Sequence, residues 1–334
     1  MFRVETGPEW IHPNFSPERC YCNMTKRFDL NMMSLYIYGI AAFLIVSSVS
    51  AVIQPGWCSR NIKDQTGRIV STPDDPQRIV ALAPSITEII FALGQEHRLR
   101  GVTRFSDYPQ AADNLPKVGS YIHLDLEKIV ALNPDLCIAI KDGNPREVIK
   151  RLESLNIPVY AVDPRNFATV MTSLQEIGVL LNAENRAESL SLEIQSRIQQ
   201  VKSGVEKSYR RPRVFFQIGI SPIVSAGTDT FIHEMIILAG GENVAEGDVK
   251  YPRFSREQVL GLSPEIIIIS SMARQAAFEQ IKSDWGRWPN LAAVQSGQIY
   301  LVDSNLFDRP TPRLIEALEL LAGIIHPELF KDAK

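Results

Sequence analysis

Glu127 and Glu257 are the residues whose setting first suggests chemistry. Each lies at the start of nearly the same phrase: LEKIVALNPDLCIAI from Leu126 to Ile140, and REQVLGLSPEIIIIS from Arg256 to Ser270. In both copies a Glu is followed by an apolar helix face, a Pro, an acid and an apolar run, and the two glutamates lie 130 positions apart. Two equivalent carboxylates suit docking to a partner with paired basic sites, since rim charges set orientation and on-rate more than affinity. They equally suit plain helix–strand packing, because a Glu in a first helical turn gains about 0.3 to 1 kcal/mol from the helix dipole. No catalytic constellation accompanies them. The chain contains no H-E-x-x-H, no G-x-S-x-G and no phosphate-binding glycine loop, so an enzyme is not expected. Its five histidines are dispersed, which argues against a receptor for bare zinc or manganese. No catalytic residue, metal ligand or resident cofactor is expected.

The elements that must position these carboxylates can be read from the rest of the chain. The 334 residues suggest about two domains. A net charge of −3 gives no basic excess, so nucleic acid is not an expected partner. Leu35 to Ile53 carries no charge over 19 residues, near the roughly 20 that cross a bilayer, and Lys26 and Arg27 precede it. With a start at Met24 it reads as a secretory signal ending in Val49-Ser50-Ala51. Left uncut, it reads as a membrane anchor. Both readings export the remainder, to the periplasm or the outer face of the cytoplasmic membrane. Cys20 and Cys22 precede the apolar run, and Trp57 before Cys58 is wrong for lipoprotein processing. Cys137 reads as a small core residue, and no disulfide is expected.

After the exported start, strand and helix alternate. Short strands flank a turn at Pro73 to Pro76, and SITEIIFALG follows, where Ser85 and Glu88 fit a capping box and Gly94 fits the stop. The stretch around Phe105 to Gly119 reads as a long loop. Asn144 reads as the N-cap of the next helix with Pro145 at its first position. From Asn166 to Tyr209 proline is absent and Leu, Glu and Gln dominate, predicting two helices divided near Asn182. The second, from about Glu184 to Ser208, reads as a rigid strut, because the α/β pattern restarts directly after it. The expected organisation is an N-terminal extension over 1–53, a linker over 54–67, one α/β lobe over 68–182, the connecting helix over 183–209 and a second α/β lobe over 210–334.

Taken together, RIVALAPSITEIIFALG, SDYPQAADNLPKVG and LEKIVALNPDLCIAI resemble the helical-backbone (class III) solute-binding proteins that feed iron–siderophore, haem and cobalamin importers of the ABC type. The resemblance spans about Arg78 to Leu321. GNPREVIKRLESLNIPV, RVFFQIGISP, GGEN, SREQVLGLSPE and FDRPTPR look like the cobalamin branch. It implies two Rossmann-like lobes with mostly parallel sheets joined by one long α-helix, and a corrinoid ligand held between them. It implies a monomer working with a membrane permease and, through it, an ATPase. By position, the ligand walls would be Phe105, Tyr121 and Tyr251, and the polar contacts Asn305 and Arg309. Glu127 and Glu257 would meet permease arginines. Tyr121, Tyr251 and Ile140 stand where a well-known relative has Trp. Core packing remains open for Phe105, and a surface ion pair for Arg309. Trp285 and Trp288 read as packing, and His97 and His123 as solvated. A ferric-siderophore or haem receptor of the same fold is the alternative, and a membrane-anchored metal-dependent enzyme a distant one.

Overall fold

Strand β1 (Ser59–Lys63) opens the described part of this computed structural model, which covers residues 59–270 and 275–330. The apolar segment 35–53 and Cys20, Cys22 and Cys58 lie outside the described residues. β1 pairs antiparallel with β2 (Ile69–Pro73). Residues 59–63, expected to be linker, are therefore strand. Their SRNIK sequence holds one apolar residue, and the ladder with β2 rather than burial orders them.

The first lobe runs β3 (Ile79–Ala81), α1 (Pro84–Ala92), β4 (Leu99–Gly101), α2 (Leu126–Ala131), β5 (Leu136–Ile140), α3 (Arg146–Ser154) and β6 (Val159–Val162). Its four strands are parallel, in the order β4-β3-β5-β6. Side chains alternate across a strand, so the apolar runs bury both faces. Ile79, Leu136, Ile138, Tyr160 and Val162 face one core, and Val80, Cys137, Ala139 and Val159 face the other. Cys137 is thus a core residue, as expected.

Helix α4 (Phe167–Leu180) is capped by Asn166, and Asn182 breaks the chain in the left-handed region at φ 54°. Helix α5 (Glu184–Val205) follows and ends three residues before the expected Ser208. Its 22 residues span about 33 Å at 1.5 Å per residue. Ala187, Leu190, Ile194, Val201 and Val205 form its buried stripe.

The second lobe continues with β7 (Arg213–Ile220), β8 (Ile223–Ser225), α6 (Phe231–Leu238), β9 (Glu242–Asn243), β10 (Arg253–Phe254), α7 (Arg256–Leu262), β11 (Ile266–Ser270), α8 (Gln275–Trp285), α9 (Ala292–Gln295), β12 (Ile299–Val302), α10 (Ser304–Phe307) and α11 (Leu314–Ile325). Its sheet order is β10-β8-β7-β11-β12, with β9 parallel to β7. β7, β11 and β12 are parallel, while β8 and β10 add an antiparallel edge. Leu314, Leu318, Leu321 and Ile325 of α11 are buried, as their spacing predicts. Glu319 of α11 takes both Arg197 Nε and Nη2 of α5, at 2.8 and 2.6 Å. One continuous apolar cluster includes α5, α11 and the inner faces of both sheets.

The repeated phrase builds the same unit twice: α2 to β5 and α7 to β11 each deliver a strand with parallel neighbours on both sides. The turn residues Asn133 and Ser263 are left-handed at φ 46° and 49°, each directly before the proline. The acids after the prolines pin neighbouring strands. Asp135 accepts from Gln77 N and Arg78 N, and Glu265 from Arg213 N. Packing therefore explains the proline and the acid of the phrase.

Two expected caps are corrected. α1 starts at Pro84, one residue before Ser85, so its N-cap is Ala83, which has no side-chain acceptor, and Glu88 pairs instead with two arginines of the second lobe. α3 has Pro145 as N-cap, because the Asn144 amide is used elsewhere.

Candidate functional site

In an open α/β sheet the loops beyond the carboxyl ends of the strands can gather polar groups without disturbing a buried ladder. Here both sheets turn those ends toward one cleft of about 500 Å³. Ala83 follows β3, Ile140 ends β5, Asp163 follows β6, Ile218 lies near the end of β7, and Ser304 and Asn305 follow β12. All five residues assigned to the ligand by resemblance line it: Phe105, Tyr121, Tyr251, Asn305 and Arg309.

The aromatic walls are held from behind. Phe105 and Tyr121 meet edge to face, with ring centroids 6.4 Å apart. The buried Asn144 amide donates to the carbonyls of Leu82 and Tyr121, and its oxygen accepts from Ile140 N, each at 2.8 Å. Three chain segments are thereby pinned at one cleft wall. Gly143, at φ 135°, lets that wall close, since a Cβ there would stand 3.1 Å from both Ile140 and the Tyr121 ring. Tyr251 projects from the second lobe and remains 49% exposed. Partial burial, followed by the carboxylates Asp142, Asp308 and Asp229, holds its phenol above the usual range.

The polar pair is tied up across the cleft. Arg309 Nη1 donates to Glu88 Oε1 at 3.0 Å and to Asp107 Oδ1 at 2.8 Å. Its Nη2 donates to the Phe105 carbonyl at 2.9 Å and to Asn305 Oδ1 at 2.6 Å. Asn305 Nδ2 in turn donates to Asp107. Every Nη hydrogen of Arg309 thus has a protein acceptor. The arginine fastens the loop carrying Phe105 to the second lobe. Arg313 completes the clasp, 3.5 Å from Glu88 and stacked 3.6 Å above the Tyr108 ring. Glu88 is only 4% exposed, and burial pushes its carboxyl above the ordinary range despite the two arginines. The open surface pair considered for Arg309 is replaced by this interlobe network.

A second ionic cluster also lines the cleft. Asp163 binds Lys141 and Arg165; Arg165 also faces Asp229, which holds Lys250. Burial works against the Asp163 charge, but hydrogen bonds from Arg165 and Lys141 hold its carboxyl below the usual range. Asp308 accepts from Ser270 Oγ at 2.7 Å, while among the described residues its buried Oδ1 has no hydrogen-bond partner. Burial pushes Asp308 up to about 6.

Glu127 and Glu257 do not line the cleft. Both are exposed in the first turns of α2 and α7, and among the described residues neither forms an ion pair. Trp285 is core and donates to Gln217, while His97 and His123 are exposed, as expected. Sequence reasoning missed Glu88, Asp107, Asp142, Asp163, Asp229 and Asp308. A signal existed for Asp142 and Asp163, each placed just past a short apolar, strand-like run, LCIAI and VYAV.

The periplasmic binding protein family profile matches residues 79–306. The vitamin B12-binding protein of Pectobacterium atrosepticum is 32% identical over 253 residues, covering 74% of this chain and 88% of that protein. An ABC transporter substrate-binding lipoprotein of Bacillus subtilis is 32% identical over 277 residues, covering 81% and 87%. Among solved structures, the periplasmic vitamin B12-binding protein of Vibrio cholerae matches with a TM-score of 0.67 at 28% identity, over 78% of this chain and 100% of that one. A periplasmic haem-binding protein of Pseudomonas aeruginosa matches at 0.71 and 28%, over 76% and 94%. With two α/β lobes, a cleft at their strand ends and these matches, the chain belongs to the periplasmic binding protein family, the extracytoplasmic substrate-binding components of ABC importers.

Proposed function

We propose that this protein captures a cobalamin-type corrinoid between its lobes and delivers it to the permease of its ABC importer. The observation that carries this reading is the aromatic cleft, with Phe105 and Tyr121 on one lobe and Tyr251 on the other. A corrin is flat and apolar on its faces, and aromatic rings in a concave site supply area at low entropic cost. The relatives described as vitamin B12-binding support the same ligand class. Ile140, where a relative has Trp, makes one wall aliphatic. Asn305 and Arg309 act in this reading through the loop they hold, and Glu127 and Glu257 offer paired charges to permease arginines. The protein works as a monomer and needs no resident cofactor. It reaches the membrane through the permease or through an uncleaved N-terminal anchor. A haem receptor is the second reading, favoured by the match to the Pseudomonas aeruginosa protein and by two tyrosines lining the cleft, a residue type that ligates haem iron.

The test is the absorbance spectrum of the purified protein after mixing with cyanocobalamin or haemin and exhaustive dialysis. Retained corrinoid absorbance at one equivalent is expected. A retained Soret band with no corrinoid would replace the reading with the haem receptor.

A further inference from the structure

Among the described residues, Arg165, Lys250 and Arg309 are the cationic side chains that line the cleft, and each is paired with a carboxylate. Arg165 faces Asp163 at 2.7 Å and Asp229 at 3.5 Å, and Lys250 faces Asp229 at 3.1 Å. Arg309 faces Asp107 at 2.8 Å and Glu88 at 3.0 Å, and all its Nη donors are spent on protein acceptors. Two carboxylates lining the same cavity have no such partner. Among the described residues, no cation lies within 4.0 Å of Asp142 on the first lobe or Asp308 on the second. Asp308 keeps one oxygen buried without a hydrogen-bond partner among the described residues. Both carboxylates, together with Asp229, also act on the phenol of the wall residue Tyr251. Among the described residues, the charges that line the cleft without an ion pair are therefore negative, one on each lobe.

Resting on the corrinoid reading, we infer that Asp142 and Asp308 make this cleft select for neutral or cationic macrocycles fringed with amide donors, and against the same macrocycle bearing carboxylates. An amide N–H on the ligand rim can donate to the exposed Asp142 carboxylate. A ligand carboxylate brought to the same place meets like charge in a partly desolvated cleft, and among the described residues the cations that line the cleft are already paired. Selection thus works through repulsion of acidic analogues, such as incompletely amidated corrinoids, as much as through attraction of the amide form.

The test compares two probes that differ by one group: cyanocobalamin and its monocarboxylic acid, in which one propionamide is hydrolysed. Both are titrated into the full-length protein at neutral pH by equilibrium dialysis. The amide form is expected to bind about tenfold or more tighter. Asp142→Asn, an exposed isosteric change, should lower that ratio, as should Asp308→Asn, and added salt should narrow it. Equal affinities in the wild type, or a ratio unchanged in both variants, would overturn the inference while leaving the corrinoid reading intact. Failure of the wild type to bind either probe would overturn the corrinoid reading itself.

Discussion

Asn144 offers the sharpest test of how the cleft wall is held. Replacing it with Ala removes one acceptor and two donors at a residue that is 7% exposed. Ile140 N, Leu82 O and Tyr121 O each lose a partner at 2.8 Å. A net hydrogen bond contributes about 0.5 to 1.5 kcal/mol, so three give about 3 kcal/mol. For a domain of this size each kcal/mol shifts Tm by about 2 to 4 °C, so the expected drop is about 6 to 12 °C. Asn144→Asp separates size from donors. It keeps the acceptor for Ile140 N but turns a carboxylate toward two carbonyls, so its loss should be no smaller than that of Ala. Thermal unfolding of the full-length protein followed by circular dichroism measures both, and corrinoid titration should show weakened binding, because the Tyr121 backbone is released. A drop below about 2 °C in the Ala variant would refute the claim that this amide anchors the wall.

Tyr121→Ala and Tyr251→Ala should each weaken corrinoid binding by about 1 to 3 kcal/mol, and unchanged affinity in both by calorimetry would remove them from the site. Asp308 gives a pH signature. Burial raises its carboxyl from 3.8 to about 6, so the folded protein holds that proton more tightly than the unfolded chain. The stability it contributes is fully present below 3.8 and is lost as pH rises through about 6, so Asp308→Asn should remove that decline from the unfolding profile. An identical slope in variant and wild type would contradict this. Charge reversal of Glu127 and Glu257 to Lys should leave folding and corrinoid affinity intact yet slow uptake in vesicles carrying the cognate importer, most at low salt, where exposed charges act beyond about 10 Å. Full uptake would reduce both residues to helix-dipole partners.

The repeated phrase, the breaks at Asn182 and Gly94, the α11 stripe and the core place of Cys137 were legible because each is local. A helix face needs 3.6-residue spacing, a stop needs a left-handed residue, and a two-sided strand needs an apolar run. β1, β8, β9 and β10 were not legible. Strands of two to five residues are too short to carry a clear period, and pairing with a neighbour orders them.

Within the candidate site, the wall residues Phe105, Tyr121 and Tyr251 were found by resemblance, and the structure brings them to one cleft. The roles of the polar residues were decided by tertiary structure alone. Ser85 and Glu88 satisfy a capping pattern, yet Glu88 meets Arg309, 221 positions away, and Arg313. Asn144 fits a cap, yet it bonds Leu82 and Tyr121. A short polar side chain can serve its own backbone or a distant group with similar local signatures. The choice falls to whichever partner remains when burial removes water, and that partner lies on another segment of the chain. The sequence by itself determined the lobes, the strut and the two outward glutamates. Which charges meet across the cleft, and which stay unpaired in it, was decided only when the two sheets turned their strand ends toward each other.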